Sequence, residues 1–334
     1  NLGFLSWPVP AIVHAGLLGV EVFFFISGFS LFYPYARTLI EGRQLQTLGH
    51  FIERRVRKIL PSYVVVVIVV ALLAPAQIPF GESLWSHILV HLTFLHAFFP
   101  NAFVSIDGPL WSLAVEVEFY VIFPLLAWLA MRNLALALAL MTAIAWGYRL
   151  WLANTGLDGS FFFAYQMPAF LDLFAAGMLA SYLYIAVQNG RLAWLAVERN
   201  ATTIALVALV LLDGLFGAML QRPGGAGVWE WQNDNRVALA VLLLCFTVGT
   251  AFSHPFLRIA VANRVTLWLA LISYNLYLWN KPIILGIVRL WVYIQQFAHP
   301  HAFLLIVALC AVLGVAQLTT RFIERPILEG RRSR

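Results

Sequence analysis

Three stretches bring together side chains capable of chemistry, and each lies in or beside a strongly apolar run. The first is Asp107-Gly108-Pro109-Leu110-Trp111-Ser112-Leu113-Ala114-Val115-Glu116-Val117-Glu118-Phe119-Tyr120. Pro109 suits the start of a helix. On that helix Ser112, Glu116 and Phe119 share one face, and Trp111, Val115 and Glu118 share another. Two carboxylates two positions apart therefore point to different surroundings, and at most one of them faces a given cavity. A charge inside a membrane is costly and needs a reason. Glu116 and Glu118 are either functional carboxylates or structural partners of an arginine, and the structural reading weighs more on Glu118.

The second stretch is Arg54-Arg55-Val56-Arg57-Lys58-Ile59-Leu60-Pro61-Ser62-Tyr63. Residues three and four apart on a helix are neighbours, so Arg54 meets Arg57 and Lys58, and Arg55 meets Lys58. Guanidinium forks bind phosphate oxygens bidentately and stay charged. The same cluster also reads as an orientation signal or a contact with anionic head groups. The third stretch, Val20-Glu21-Val22-Phe23-Phe24-Phe25-Ile26-Ser27-Gly28-Phe29, puts Ser27-Gly28 in mid-span, where small residues allow close helix approach. Glu21 is expected near the outer surface, where its cost is small.

Other candidates are weaker. Asp172, Asp213, Arg149 and Arg289 lie in or near apolar runs and read as structural pairs, and His14 reads as a loop residue before the first span. Cys245 and Cys310 sit inside apolar runs as small hydrophobes. The sequence has no Gly-rich phosphate loop, no Gly-x-Ser-x-Gly elbow and no His/Cys spacing for a metal.

The elements that must position these groups follow from composition. Of 334 residues, 62% are hydrophobic and 11% charged, and the mean hydropathy is +0.85. Soluble domains carry about 25% charged residues, so a water-soluble fold would lack polar surface. The net charge of +6 sits in short loops between apolar runs. That is a pattern of membrane orientation rather than of nucleic-acid binding.

A bilayer core takes about 20 apolar residues per helix. This ruler predicts nine spans, at about 17–36, 59–78, 109–131, 135–153, 164–187, 201–220, 236–253, 266–290 and 302–321. A further run, about 84–99, carries His87, His91 and His96, is short, and is expected to be re-entrant or interfacial. The fold class is an all-α polytopic transmembrane bundle, read as a single membrane-embedded domain over 1–334 with a basic cytoplasmic tail at 322–334. The loop with Arg37, Arg43, Arg54, Arg55, Arg57 and Lys58 is expected in the cytoplasm. Alternation then puts Arg132, Arg191, Arg199, Arg258, Arg264 and the C-terminus on the same side, provided that 84–99 does not cross. It also puts residue 1 outside, and the chain begins with Asn. Either a signal peptide was removed or an upstream span is missing, and the second is favoured.

In their order these pieces resemble the acyltransferase 3 family of membrane acyltransferases. The resemblance rests on Gly19 to Phe29, Arg54 to Tyr63, Trp111 to Glu116 with Phe119-Tyr120, Ile272-Ser273-Tyr274-Asn275-Leu276-Tyr277-Leu278-Trp279, and Arg321-Phe322-Ile323-Glu324-Arg325-Pro326. It implies transfer of an acyl group, commonly acetyl from cytoplasmic acetyl-CoA, to a hydroxyl of a glycan, exopolysaccharide or lipid-linked sugar in a bacterial inner membrane, with no metal. It also implies ten spans, the first bearing an arginine and a histidine, which here would precede residue 1. On this reading Arg54, Arg55, Arg57 and Lys58, with Tyr63, hold the CoA phosphates, Trp111 and Ser112 line the acyl tunnel, and Glu116 orients the histidine base. The expected partners are acyl-CoA, a glycan or lipid-linked sugar and membrane lipids.

Two departures from the family stand out. The family's Leu-Trp-His-x-Pro is here Leu278-Trp279-Asn280-Lys281-Pro282, and the Arg-x-x-Arg pattern fits either Arg54–Arg57 or Arg55–Lys58. The rival readings are a glycan or lipid transporter or flippase without acyl chemistry, and a scaffold subunit of a polysaccharide machine. The absence of an internal repeat weighs against the transporter.

Overall fold

The computed structural model describes residues 9–73, 79, 82–221, 224–289 and 300–329. Its helices are α1 Val9–Glu41, α2 Leu48–Leu73, α3 Leu84–Leu92, α4 Trp111–Arg132, α5 Leu134–Thr155, α6 Phe161–Ala164, α7 Leu171–Gln188, α8 Ala193–Ala196, α9 Glu198–Leu220, α10 Gly224–Phe252, α11 Pro255–Val261, α12 Arg264–Val288, α13 Pro300–Thr319 and α14 Arg325–Glu329. A π-helical turn, Thr320–Glu324, joins the last two. Among the described residues there is no strand, and nine helices are long and apolar enough to cross a membrane. Each overlaps one of the nine expected runs. The nine-residue α3 rises only about 14 Å against a hydrocarbon core of about 30 Å, so it does not cross.

The helices run past the apolar ruler at their ends. Because α2 begins at Leu48, Arg54–Lys58 lie on its opening turns and not in the preceding loop. His14, expected in a loop, falls on the helical backbone of α1. Residues 74–78, the end of the second expected span, and 330–334, the end of the basic tail, lie outside the described residues.

The chain packs as two compact units: Asn1–Gln46 with Val115–Val261, and Thr47–Ala114 with Ala262–Arg334. In the first, α1 and α7 approach so closely that neither tolerates a side chain at the crossing. A Cβ on Gly28 would lie 2.2 Å from the Phe174 carbonyl oxygen, and one on Gly177 would lie 2.0 Å from that of Phe25. Ser27-Gly28 thus marks a packing site, as its small residues indicated. Phe24 fills the space beside it, 4.8 Å from the Phe170 ring and 5.1 Å from the Phe174 ring.

Glu21 corrects an expectation. It is not near a surface but 1% exposed, with Oε1 accepting from Arg236 Nε at 3.0 Å. The Arg236 guanidinium also donates to the Ala169 carbonyl at 3.1 Å and lies 4.1 Å over the Phe170 ring. Arg149 donates to the same carbonyl at 2.8 Å and to Asp172 at 2.6 Å. Of the four charges read as structural pairs, Arg149 and Asp172 therefore form one. Asp213 and Arg289 are exposed and in no ion pair among the described residues.

In the second unit α12 packs on α13 and on α2, and Tyr274 on α12 donates to the Ile59 carbonyl of α2 at 2.8 Å. α12 starts from a capping box, in which Asn263 accepts from Val265 and Thr266 while Thr266 accepts from the Asn263 amide. A buried tyrosine ties α3 to α2, with Tyr63 donating to the His91 carbonyl at 2.9 Å and stacking 4.4 Å from the Phe94 ring.

The glycine contact between α1 and α7 yields a stability test. Gly177→Val should cost roughly 1–3 kcal/mol or more by overpacking, read as a lower Tm and loss of monodispersity in detergent. Gly147→Ala, where a Cβ meets nothing within 4 Å, should be neutral or slightly stabilising.

Candidate functional site

In the first unit the carboxylate on α4 is held by hydroxyls. Glu116 is 4% exposed. Its Oε1 accepts from Ser27 Oγ on α1 at 2.9 Å and from Tyr120 OH one turn further along α4. Ser27 therefore does more than permit packing, and the spacing Glu116–Tyr120 was visible in the sequence as an (i, i+4) pair. Two donors on one oxygen fix the orientation of the group. Glu118 points elsewhere, as the helical spacing required, and pairs with no arginine among the described residues.

The second unit carries the basic cluster, and its four cations have separate environments. Arg54 is exposed and in no ion pair among the described residues. Arg55 lies along the Phe51 ring at 5.9 Å. Arg57 bonds Glu53 at 2.8 Å, one turn back, with both side chains about a third exposed. Lys58 pairs with Glu324, whose side chain is 4% exposed, and its amine lies 5.6 Å over the Tyr274 ring. Asn275, fully buried, donates to Glu324 Oε2 at 2.7 Å and lies 2.9 Å from Thr320 Oγ1.

The π turn positions this group. One added residue advances the side-chain direction by about 100°, and Thr320 and Glu324 both end up buried against α12. Asn275 and Glu324 each lie in a motif of the family resemblance, but neither motif by itself gives its residue a role. A π turn leaves no mark in hydrophobic periodicity, and the pairing of Glu324 with Lys58 spans 266 positions.

Of the other candidates, Tyr63 is fully buried and serves α3 rather than an open surface. Trp111 is 3% exposed, with its ring stacked 6.1 Å from Phe103. Ser112 shares a 2.7 Å hydrogen bond with Tyr277 OH, and both hydroxyls reach the Pro109 carbonyl. Asn280, in place of the family histidine, is exposed. Its neighbour Lys281 lies 3.9 Å from Asp107 Oδ1. Among the described residues no three His, Cys, Asp or Glu groups are placed to hold a metal ion.

Asp107 precedes the first turn of α4 and is 1% exposed. Burial pushes its carboxyl up to about 7, against the opposing pull of Lys281. Burial likewise holds His91 down to about 3 and His96 to about 4, and their rings stack at 4.0 Å as neutral imidazoles.

Two predictions follow from these environments. Removing the amine in Lys58→Met leaves Glu324 buried without its cation and should cost more stability than the double change Lys58→Met/Glu324→Gln. Half-exposure of Lys58 limits the difference to roughly 1–2 kcal/mol, and a thermal-shift double-mutant cycle measures it. Asp107 with a raised pKa binds a proton in the folded state that the unfolded chain has lost, so its contribution to stability falls as pH rises from about 4 to about 7. Asp107→Asn should therefore raise Tm relative to the parent by a few degrees more at pH 8 than at pH 4. An equal shift at both pH values would refute the raised pKa.

The family described as an acyltransferase domain matches residues 2–320. The peptidoglycan O-acetyltransferase OatA of Listeria monocytogenes is 26% identical over 343 residues, covering 93% of this chain and 51% of that protein. The O-acetyltransferase OatA of Staphylococcus aureus is 23% identical over 339 residues, covering 94% of this chain and 53% of its own. The chain thus spans about half the length of these relatives. No solved structure matches it. The family match over nearly the whole chain, with the motif order and the nine apolar helices, establishes that this chain belongs to the acyltransferase 3 family of membrane proteins.

Proposed function

We propose that the chain is a membrane O-acetyltransferase that moves acetyl from acetyl-CoA on the cytoplasmic side to a hydroxyl of a cell-envelope glycan. The names of its relatives support the acetyl group and a glycan acceptor. The observation that carries the donor assignment is the inequality of the cations on α2. The Arg57–Glu53 pair is an exposed (i, i+4) contact worth about 0.3–0.5 kcal/mol, which a phosphate readily displaces. Arg54 is already exposed. Lys58 cannot leave without stranding a buried carboxylate, so it acts as a fixed post while Arg54, Arg55 and Arg57 close on the CoA phosphates.

In the reaction, the acceptor oxygen attacks the thioester carbonyl. A carbon–oxygen bond forms, the carbon–sulfur bond breaks, and the departing thiolate takes up the proton that the acceptor loses. A hydroxyl needs a positioned base for this step. Glu116, with its orientation fixed by Ser27 and Tyr120, would align that base and stabilise its charged form. Trp111 and Ser112 would contribute apolar wall and a hydroxyl to the acyl path. The basic loops and the C-terminus face the cytoplasm in this reading, and the membrane is the bacterial inner membrane.

Calorimetric titration of acetyl-CoA into detergent-purified protein tests the donor site. Arg54→Ala/Arg57→Ala should weaken binding at least ~10-fold, because each lost charge-assisted bond is worth roughly 1.5 kcal/mol or more. No binding to folded parent protein would refute the reading. Glu116→Gln keeps an acceptor for both hydroxyls but loses the charge, so transfer should fall ~100-fold or more with little change in Tm. Full activity in that variant would remove Glu116 from the mechanism.

A further inference from the structure

The segment 82–105 of the second unit, whose helix α3 is too short to cross a bilayer, carries polar groups that neither the donor site nor Glu116 uses. Between Glu82 with the first turns of α3 on one side and residues 99–102 on the other is a cavity of about 380 Å³, with Glu82, Ser86, His87, Phe99 and Asn101 in its wall. Its polar groups are fixed from beneath. His87, 3% exposed, bonds Ser105 Oγ through Nδ1 at 2.7 Å and Glu82 Oε2 through Nε2 at 2.6 Å. Asn101 Nδ2 donates to Glu82 Oε1 at 2.9 Å. With both ring nitrogens engaged within the protein, His87 is a positioning residue that sets the direction of the carboxylate.

The outward-facing chemistry is specific. Each Glu82 oxygen receives one bond from the protein, and a carboxylate has about four acceptor sites, so capacity remains for ligand hydroxyls. Beside it the Phe99 ring is 51% exposed. Among the described residues no lysine or arginine lines the cavity, and the Glu82 carboxylate repels a phosphate. An oriented carboxylate and carboxamide beside an open aromatic face match a pyranose, whose hydroxyls take the polar groups while its C–H face covers the ring.

We propose that this cavity is a saccharide subsite, in which Glu82 and Asn101 bind sugar hydroxyls and Phe99 stacks on the ring. As an acceptor subsite it rests on the acetyltransferase reading; as a sugar site it stands without it. The test is saturation-transfer NMR of a β-1,4-linked N-acetylglucosamine trimer with the full chain in an amphipol, which carries neither sugar nor choline. The parent protein should saturate the trimer. Phe99→Ala and Asn101→Ala should each reduce the effect about five-fold, the factor expected for one lost hydrogen bond or stacking contact.

An absent signal in the parent, or equal signals in parent and both variants, would overturn the subsite. So would saturation of phosphocholine in place of the trimer, since a cationic head group also suits a carboxylate beside an aromatic ring. Acetyl-CoA titration on the same samples separates the two readings. Donor binding and acetyl transfer with an unchanged acceptor KM in both variants would sink the subsite alone. Localised sugar binding without donor binding would sink the acetyltransferase reading alone.

Discussion

Every charge that this chain buries must find its partner within the protein, because hydrocarbon offers none. That constraint organises the first unit around the Ala169 carbonyl, where Arg149 and Arg236 both donate, each also held by its own carboxylate, Asp172 and Glu21. A single carbonyl thereby gathers α1, α5, α7 and α10. The arrangement fixes α1 at Glu21, and two turns later the Gly28 and Gly177 contact fixes it again on α7. Ser27 lies between those anchors, so its hydroxyl reaches Glu116 from a helix with little freedom to shift.

The second unit meets the same constraint differently. One of its buried carboxylates, Glu324, takes a lysine from α2 and an amide from α12, so three chain segments distant in sequence converge on one group. The π turn at Thr320–Glu324 is a local departure from regular helix that makes the convergence possible. Such turns recur at functional sites, and here it bears directly on one of the cations of the basic cluster.

Much of the architecture was legible beforehand because a bilayer imposes length and polarity on every crossing helix. The nine runs, the non-crossing 84–99 segment and the opposed faces of Glu116 and Glu118 all follow from counting apolar residues and from the 3.6-residue repeat. What stayed hidden depended on side chains meeting across long sequence distances. Glu21 looked like a surface charge because its partner, Arg236, lies 215 positions away. Lys58 looked equivalent to Arg54, Arg55 and Arg57 because nothing near it announces Glu324. The polar segment at 82–105 gave only its histidines, since the bonds among Glu82, His87, Asn101 and Ser105 depend on a loop path that periodicity does not encode.

The mixture of arginines and one lysine on α2 then has a physical basis. Lysine presents a compact ammonium that fits against one buried carboxylate oxygen and the face of one ring, as Lys58 does with Glu324 and Tyr274. Arginine presents a planar fork that stays charged while exposed and grips two oxygens of an incoming anion. A guanidinium at position 58 would bring five donors to a pocket whose carboxylate already accepts from Asn275, leaving several unsatisfied. A lysine at position 54 or 57 would keep the charge but lose the two-point grip. The two registers in which the family's Arg-x-x-Arg can be read therefore differ in kind: Arg54–Arg57 supplies two forks toward solvent, while Arg55–Lys58 joins one fork to the post that anchors α2.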